Sequence, residues 1–175
     1  IPKTDEILTR LHEIATDKGF SPSSLTNYIR NPLQFYMQRI LRINEADEVE
    51  ENIAVNTLGT IIHNALEELY TPYLNQFLAL HHIEAMEAKI DEVILKHFKE
   101  IYKEGEITKG KNLLAFEVAK RNVYNFLQLE KKDIEEGQAI KVVLLEASLS
   151  CEIEVKSLPF PIKIAGKVDR IEERN

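Results

Sequence analysis

Two short segments of this 175-residue chain carry side chains whose types and spacing can do chemistry: Leu58-Gly59-Thr60-Ile61-Ile62-His63-Asn64-Ala65-Leu66-Glu67 and Ile164-Ala165-Gly166-Lys167-Val168-Asp169-Arg170-Ile171. In the first, Gly59 and His63 are four apart and share one face of a helix. Glycine inside a helix costs about 1 kcal/mol relative to Ala, so Gly59 marks a helix start or a close approach of another backbone. His63 can offer a ring nitrogen to a cation. Glu67, one turn on, can accept a hydrogen bond from the other ring nitrogen and fix the ring. The plainer reading is a part-buried histidine with a surface carboxylate beside it.

In the second segment, strand alternation sets Gly166, Val168 and Arg170 on one side and Lys167, Asp169 and Ile171 on the other. Asp169 is then a carboxylate within an apolar alternation. Such a group needs a partner, and a hard divalent cation is one answer; Lys167 or Arg170 would be another. Gly166 removes a side chain where a ligand or a second backbone can approach. Glu146 follows Val142-Val143-Leu144-Leu145 with a charge in mid-strand, either as a further metal-linked acid or as a side chain facing solvent. His12, His97 and the pair His81-His82 have no partner at ligand spacing and read as ordinary residues. Cys151 reads as a small core hydrophobe. As the single cysteine it excludes an internal disulfide and any Cys-only zinc or iron–sulfur site within the chain. No phosphate-binding glycine loop, Ser/His/Asp arrangement or zinc spacing is present.

The elements that must position these residues are legible in the periodicity. Thr4 is a candidate N-cap, with Ile7, Leu8, Leu11 and Ile14 at helical spacing until Gly19. Ser21 caps a second helix carrying Leu25, Tyr28 and Ile29, which Pro32 breaks before Phe35, Tyr36, Ile40 and Leu41 continue the pattern. Residues 44–52 are an acidic run expected to be a solvated loop. A third helix starts near Thr57 and ends around Pro72. A fourth runs through Ile83, Met86, Ile90, Val93, Ile94, His97, Phe98 and Ile101 to a stop at Gly105. A fifth spans about 111–135 with Leu113, Phe116, Val123 and Leu127 inward. After Gly137 the chain turns to β-branched and alternating residues. Strands are expected over 139–155 and 162–171, antiparallel across the turn Ser157-Leu158-Pro159-Phe160-Pro161. The fold class is α+β: helices over 1–137 and the first strands of a sheet over 138–175.

Composition sets the bounds. Hydrophobic residues are 44% and charged residues 29%, ordinary for a soluble domain with a core. No apolar run approaches the roughly 18–20 residues of a membrane span, and no leader pattern is seen. A reducing cytoplasm is the expected compartment. The net charge of −7 does not announce nucleic-acid binding, which draws on cationic faces. Either the chain does not bind nucleic acid, or its acids include metal ligands and its cations are gathered elsewhere. Ile1 is not an initiator methionine, so the chain is expected to be a piece of a longer one.

The order of SPSSLTNYIRNPLQFYMQRIL, LGTIIHNALEELY, a long helical stretch and IAGKVDRIE resembles the RecB-like branch of the PD-(D/E)XK nuclease superfamily, and within it the C-terminal nuclease domain of AddB-type helicase–nuclease subunits. The resemblance covers about residues 21–172. It implies a truncated restriction-endonuclease-like core. It also implies a metal role for His63 in the family's G-x-x-x-H segment, and for Asp169 in its G-x-(V/I)-D-R segment. Glu67, Glu146, Gly59 and Gly166 would support them. The implied activity is Mg²⁺- or Mn²⁺-dependent hydrolysis of DNA in repair or recombination. The implied partners are DNA and a helicase–nuclease subunit, with a helicase-like region upstream. The alternative is a catalytically silent nuclease-fold module used for DNA binding or subunit docking.

The family's next strand bears an acid and a Lys separated by one residue, and no such acid-x-Lys pair lies between Asp169 and Asn175. The chain alone is therefore expected to be inert. Many relatives also place a Cys before the Pro of a Y-x-x-C-P-x-x-F/Y segment, as the first ligand of an iron–sulfur cluster. In Tyr28-Ile29-Arg30-Asn31-Pro32-Leu33-Gln34-Phe35-Tyr36 that place is held by Asn31, so no cluster is expected.

Overall fold

A computed structural model describes residues 2–43, 55–101 and 109–175. Among them are seven α-helices followed by a two-stranded antiparallel sheet, an α+β arrangement. The expected acidic loop and the stop at Gly105 fall outside the described residues. The chain divides into two compact units, one drawn from residues 1–48 and 147–168, the other from 49–146 and 169–175.

In the first unit, α1 (Asp5–Glu13) starts where the Thr4 side chain caps the Ile7 N–H. A π-helical turn (Ile14–Lys18) extends it to Gly19, whose φ of +83° suits glycine. Gly19 has a second reason to be glycine: a Cβ there would stand 2.8 Å from the Ala165 Cβ. The next residue, Phe20, bridges to Ile164, donating its N–H to the Lys163 carbonyl (2.9 Å) and accepting from the Ala165 N–H (3.0 Å). Ser21 caps α2 (Pro22–Arg30), and the Asn31 side chain accepts from the Gln34 N–H at the start of α3 (Pro32–Phe35). The break at Pro32 is as expected, because Pro fits the first helical turn but not an interior. Ile14, Ala15 and Phe35 form this unit's small core, with the rings of Phe20 and Tyr28 against Phe35.

The second unit holds the larger core. Helix α4 (Val55–Tyr70) buries Ile61, Ala65 and Leu69 on one stripe, packing on α6 (Ile90–Ile101) and α7 (Gly110–Glu135). The continuous fourth helix read from the sequence is instead two, α5 (Leu80–Glu87) and α6. The turn at Ala88-Lys89 contains neither Gly nor Pro. Tertiary packing outweighs local propensity there, since α5 follows α7 while α6 also packs on α4. On α7, Ala119, Val123 and Leu127 are fully buried, but Leu113, expected inward, is 40% exposed near the helix start.

The strands are β1 (Ile140–Ile153) and β2 (Ile162–Arg174), the latter three residues longer than its alternation suggested. Reciprocal hydrogen bonds between Ala139 and Asn175 close their base. The other edge of β1 pairs locally with the segment after α4, through the Phe77–Lys141 bridge and the bonds from Asn75 to Val142 and from Leu78 to Ile140. Cys151, expected in the core, is exposed, because the apolar alternation at that end of β1 faces solvent on both sides. No helix among the described residues is long and apolar enough to cross a membrane.

Candidate functional site

His63, Glu146 and Asp169 all belong to the second unit and come from three different elements, α4, β1 and β2. The stripe Ile61, Ala65 and Leu69 anchors α4 in the core, and His63 lies on the flank away from it, half-exposed. On β2, Val168 and Arg170 sit less exposed than Lys167 and Asp169, so the pleat turns Asp169 outward as its alternation required.

Glu146 reaches the site by a distortion. Ile140 and Val142 face the core, but the next inward residue is Leu145 rather than Leu144, so the face slips by one residue. Glu146 then takes φ +47°, left-handed for a non-glycine residue in a strand. That is the pattern of a β-bulge, a device that re-aims a side chain. Such a conformation costs about 1–2 kcal/mol and persists only where the surroundings impose it.

The three groups converge. One ligand atom from each lies within 4.8 Å of the others. His63 Nδ1 is 3.6 Å from Asp169 Oδ2 and 3.8 Å from Glu146 Oε1. These separations are too long for good hydrogen bonds. Donors that share an ion at roughly 2.0–2.6 Å stand about 3–5 Å apart, so one imidazole nitrogen and two carboxylate oxygens fit a divalent cation. The side chains border a cavity of about 250 Å³ walled by Leu66, Tyr70, Phe126 and Leu145.

The proposed supporting residues fare differently. Glu67 lines the same cavity, but no hydrogen bond joins it to His63; the imidazole Nδ1 is turned to the strand carboxylates of Glu146 and Asp169 instead. Gly59 has open space at its Cβ position among the described residues, so no close backbone explains it. At Gly166 the space is met by the Pro22 ring, 3.4 Å from a built Cβ, rather than by a second backbone. Asp169 does not pair with Arg170, which turns to the opposite face. His97, read as ordinary, is buried against Glu68 (2.7 Å).

Sequence reasoning missed a buried ionic cluster under the site. Glu130, 2% exposed, accepts hydrogen bonds from the Tyr70 hydroxyl and the Arg170 guanidinium, which also meets Glu172 at 2.5 Å. The guanidinium lies 4.6 Å over the Tyr70 ring and 5.5 Å from Phe126, cation–π geometry. Burial lifts the Glu130 carboxyl above its usual range, against the pull of Tyr70 and Arg170. Burial and then the charge of Glu130 raise the Tyr70 hydroxyl as well. The signal was available: Glu130 falls on the same α7 stripe as Val123 and Leu127, where an acid demands a buried cation. Because Arg170 adjoins Asp169 on β2, this cluster fixes the register that delivers Asp169 to the site.

Comparison with known proteins places the chain. A curated protein of Rickettsia conorii, described as uncharacterized, is 22% identical over 179 residues, covering 98% of this chain and 19% of its own length. An uncharacterized protein of Rickettsia typhi is 24% identical over 165 residues, covering 82% and 19%. One of Rickettsia felis is 30% identical over 80 residues, covering 46% and 9%. The chain thus spans about a fifth or less of these relatives. A family model described as the PD-(D/E)XK nuclease superfamily, whose members are generally nucleases and typically use divalent metals, matches residues 19–175. With a match that takes in all three converging residues, this chain belongs to the PD-(D/E)XK nuclease superfamily.

Proposed function

We propose that this domain is the metal-binding part of a Mg²⁺- or Mn²⁺-dependent deoxyribonuclease acting in DNA repair or recombination, of the AddB type, in the cytoplasm and beside a helicase–nuclease partner subunit. The observation that carries the metal reading is the convergence of His63, Glu146 and Asp169 on one cavity. Family membership supports the nuclease chemistry. A divalent cation held there supplies a water made nucleophilic near neutral pH and charge neutralisation at phosphorus. His63 would offer a ring nitrogen to such an ion, and the two carboxylates would offset its charge. Arg170 and Glu130 hold β2 in register from below, and the apolar wall of Leu66, Phe126 and Leu145 keeps bulk water from that side. In this reading an acid and a Lys from a further strand complete the catalytic set, and the domain without them is inert.

The test is Mn²⁺-dependent degradation of linear DNA by the full-length protein, beside His63→Ala, Glu146→Ala and Asp169→Ala. Loss of activity in all three supports the assignment. Full activity in any of them removes that residue from the site, and full activity in all three sinks the reading.

A further inference from the structure

The chain carries a net charge of −7, yet the charged side chains lining one cavity in the first unit are, among the described residues, all cationic. Arg10, Lys18, Arg39 and Arg42 line it, and among the described residues no carboxylate does. Arg10 is held by Glu13 at 2.7 Å. Lys18, Arg39 and Arg42 are exposed, and among the described residues none of them has an ion-pair partner. Gathering like charges around one hollow without neutralising them is unfavourable unless an anion is received there. The cavity's frame is firm: Gly19 lies in its wall, and the Phe20–Ile164 bridge ties that wall to β2. Arg42 adopts a left-handed backbone (φ +58°), a state arginine seldom takes without a surrounding reason.

We propose that this cavity seats a phosphodiester of a nucleic-acid strand. Two free guanidinium groups and an ammonium suit phosphate oxygens, which arginine can grip in a bidentate fork. The volume, about 360 Å³, lies at the small end of ligand pockets and matches one nucleotide unit better than an extended acidic peptide. The pocket also answers how a chain with an acidic balance meets a polyanion: its cations are concentrated rather than spread. Naming a nucleic-acid strand as the occupant rests on the nuclease reading above; the anion site itself does not.

The experiment measures anisotropy of a short fluorescent oligothymidylate with the protein in EDTA, so that metal binding at His63 plays no part. Wild type is compared with Lys18→Gln/Arg39→Gln/Arg42→Gln and with Arg39→Lys/Arg42→Lys, while Mn²⁺-dependent cleavage by the full-length protein is followed in His63→Ala/Asp169→Ala and in the triple variant. The three side chains are exposed, so folding is expected to survive, and circular dichroism checks it. The triple variant should bind at least about tenfold more weakly. Its plot of log affinity against log salt should flatten by about 2, at roughly 0.7 per phosphate contact on single strands. The lysine pair should fall between wild type and the triple variant. Unchanged affinity and slope in the triple variant overturn the proposal. Displacement by polyglutamate as effective as by unlabelled oligonucleotide overturns it in favour of an acidic protein partner. Displacement by inorganic phosphate at concentrations equal to the oligonucleotide overturns it in favour of free phosphate. Triple-variant-sensitive binding without any Mn²⁺-dependent cleavage in the full-length protein would remove the nuclease reading and leave the pocket. Cleavage lost in the His63 and Asp169 variants with no effect of the triple variant would do the reverse.

Discussion

Replacing Glu130 by Ala tests the idea that a buried ionic cluster holds β2 in the register that presents Asp169. The substitution removes the acceptor for the Tyr70 hydroxyl and for the Arg170 guanidinium, in a position 2% exposed. An orphaned buried hydroxyl costs about 1–3 kcal/mol, and breaking a buried ion pair about 3–5 kcal/mol. Arg170 keeps Glu172 at 2.5 Å, which brings the sum down to about 4 kcal/mol. For a chain of this size each kcal/mol lowers Tm by about 2–4 °C, so a drop of about 8–16 °C is expected. Glu130→Gln should cost less, since burial already favours a neutral group there. The double variant Glu130→Leu/Arg170→Met should recover much of the loss, because a well-packed apolar pair often matches a buried ion pair. Urea denaturation followed by circular dichroism measures all three. A loss under about 1 kcal/mol for Glu130→Ala, or a double variant as unstable as the sum of its singles, would refute the reasoning.

Gly19→Ala should cost about 2–4 kcal/mol in the same assay, combining a left-handed backbone with overlap on Ala165. Gly166→Ala, which meets only the Pro22 ring at ordinary contact, should stay within about 1 kcal/mol of wild type. Glu146→Gly relieves a φ of +47°, so in EDTA its unfolding free energy should equal or exceed that of wild type by up to about 1 kcal/mol, while any Mn²⁺-induced rise in Tm is lost. The hydrogen bond from Lys96 holds the Glu68 carboxyl below its usual value of 4.5, with His97 adding to the effect. A depressed folded pKa contributes stability above 4.5 that is lost as pH falls through the folded value. The advantage of wild type over Glu68→Gln, read by urea titration at pH 6, should therefore shrink as the pH is lowered below 4.5.

How much of this was legible in the residues follows from the range of each interaction. Caps at Thr4 and Ser21, the break at Pro32 and the strand alternation are local, and the structure has them where the spacing puts them. The pairing of His63 with Asp169 was readable only as a pattern of types in order, because two residues over a hundred apart in sequence share no local signal. Glu146 looked like an interruption of a strand. The bulge that makes it useful depends on pairing with β2 and on the core beneath Leu145, neither of which periodicity reports. The division of the fourth helix had no Gly or Pro to announce it. Cys151 was misread because alternation shows which residues share a face but not whether that face is covered. Glu130 and Arg170 were each visible as a charge on an apolar stripe, and only the fold shows that they answer one another.

The most direct test of the central claim is a calorimetric titration of the protein with Mn²⁺, wild type beside His63→Ala, Glu146→Ala and Asp169→Ala. Loss of a supporting partner commonly costs about 10–100-fold in metal affinity, and loss of a ligand should cost at least that. The account predicts one Mn²⁺ bound by wild type and an affinity at least about tenfold weaker in each variant. Mn²⁺ binding of wild-type strength in all three variants, or none in wild type, would contradict it.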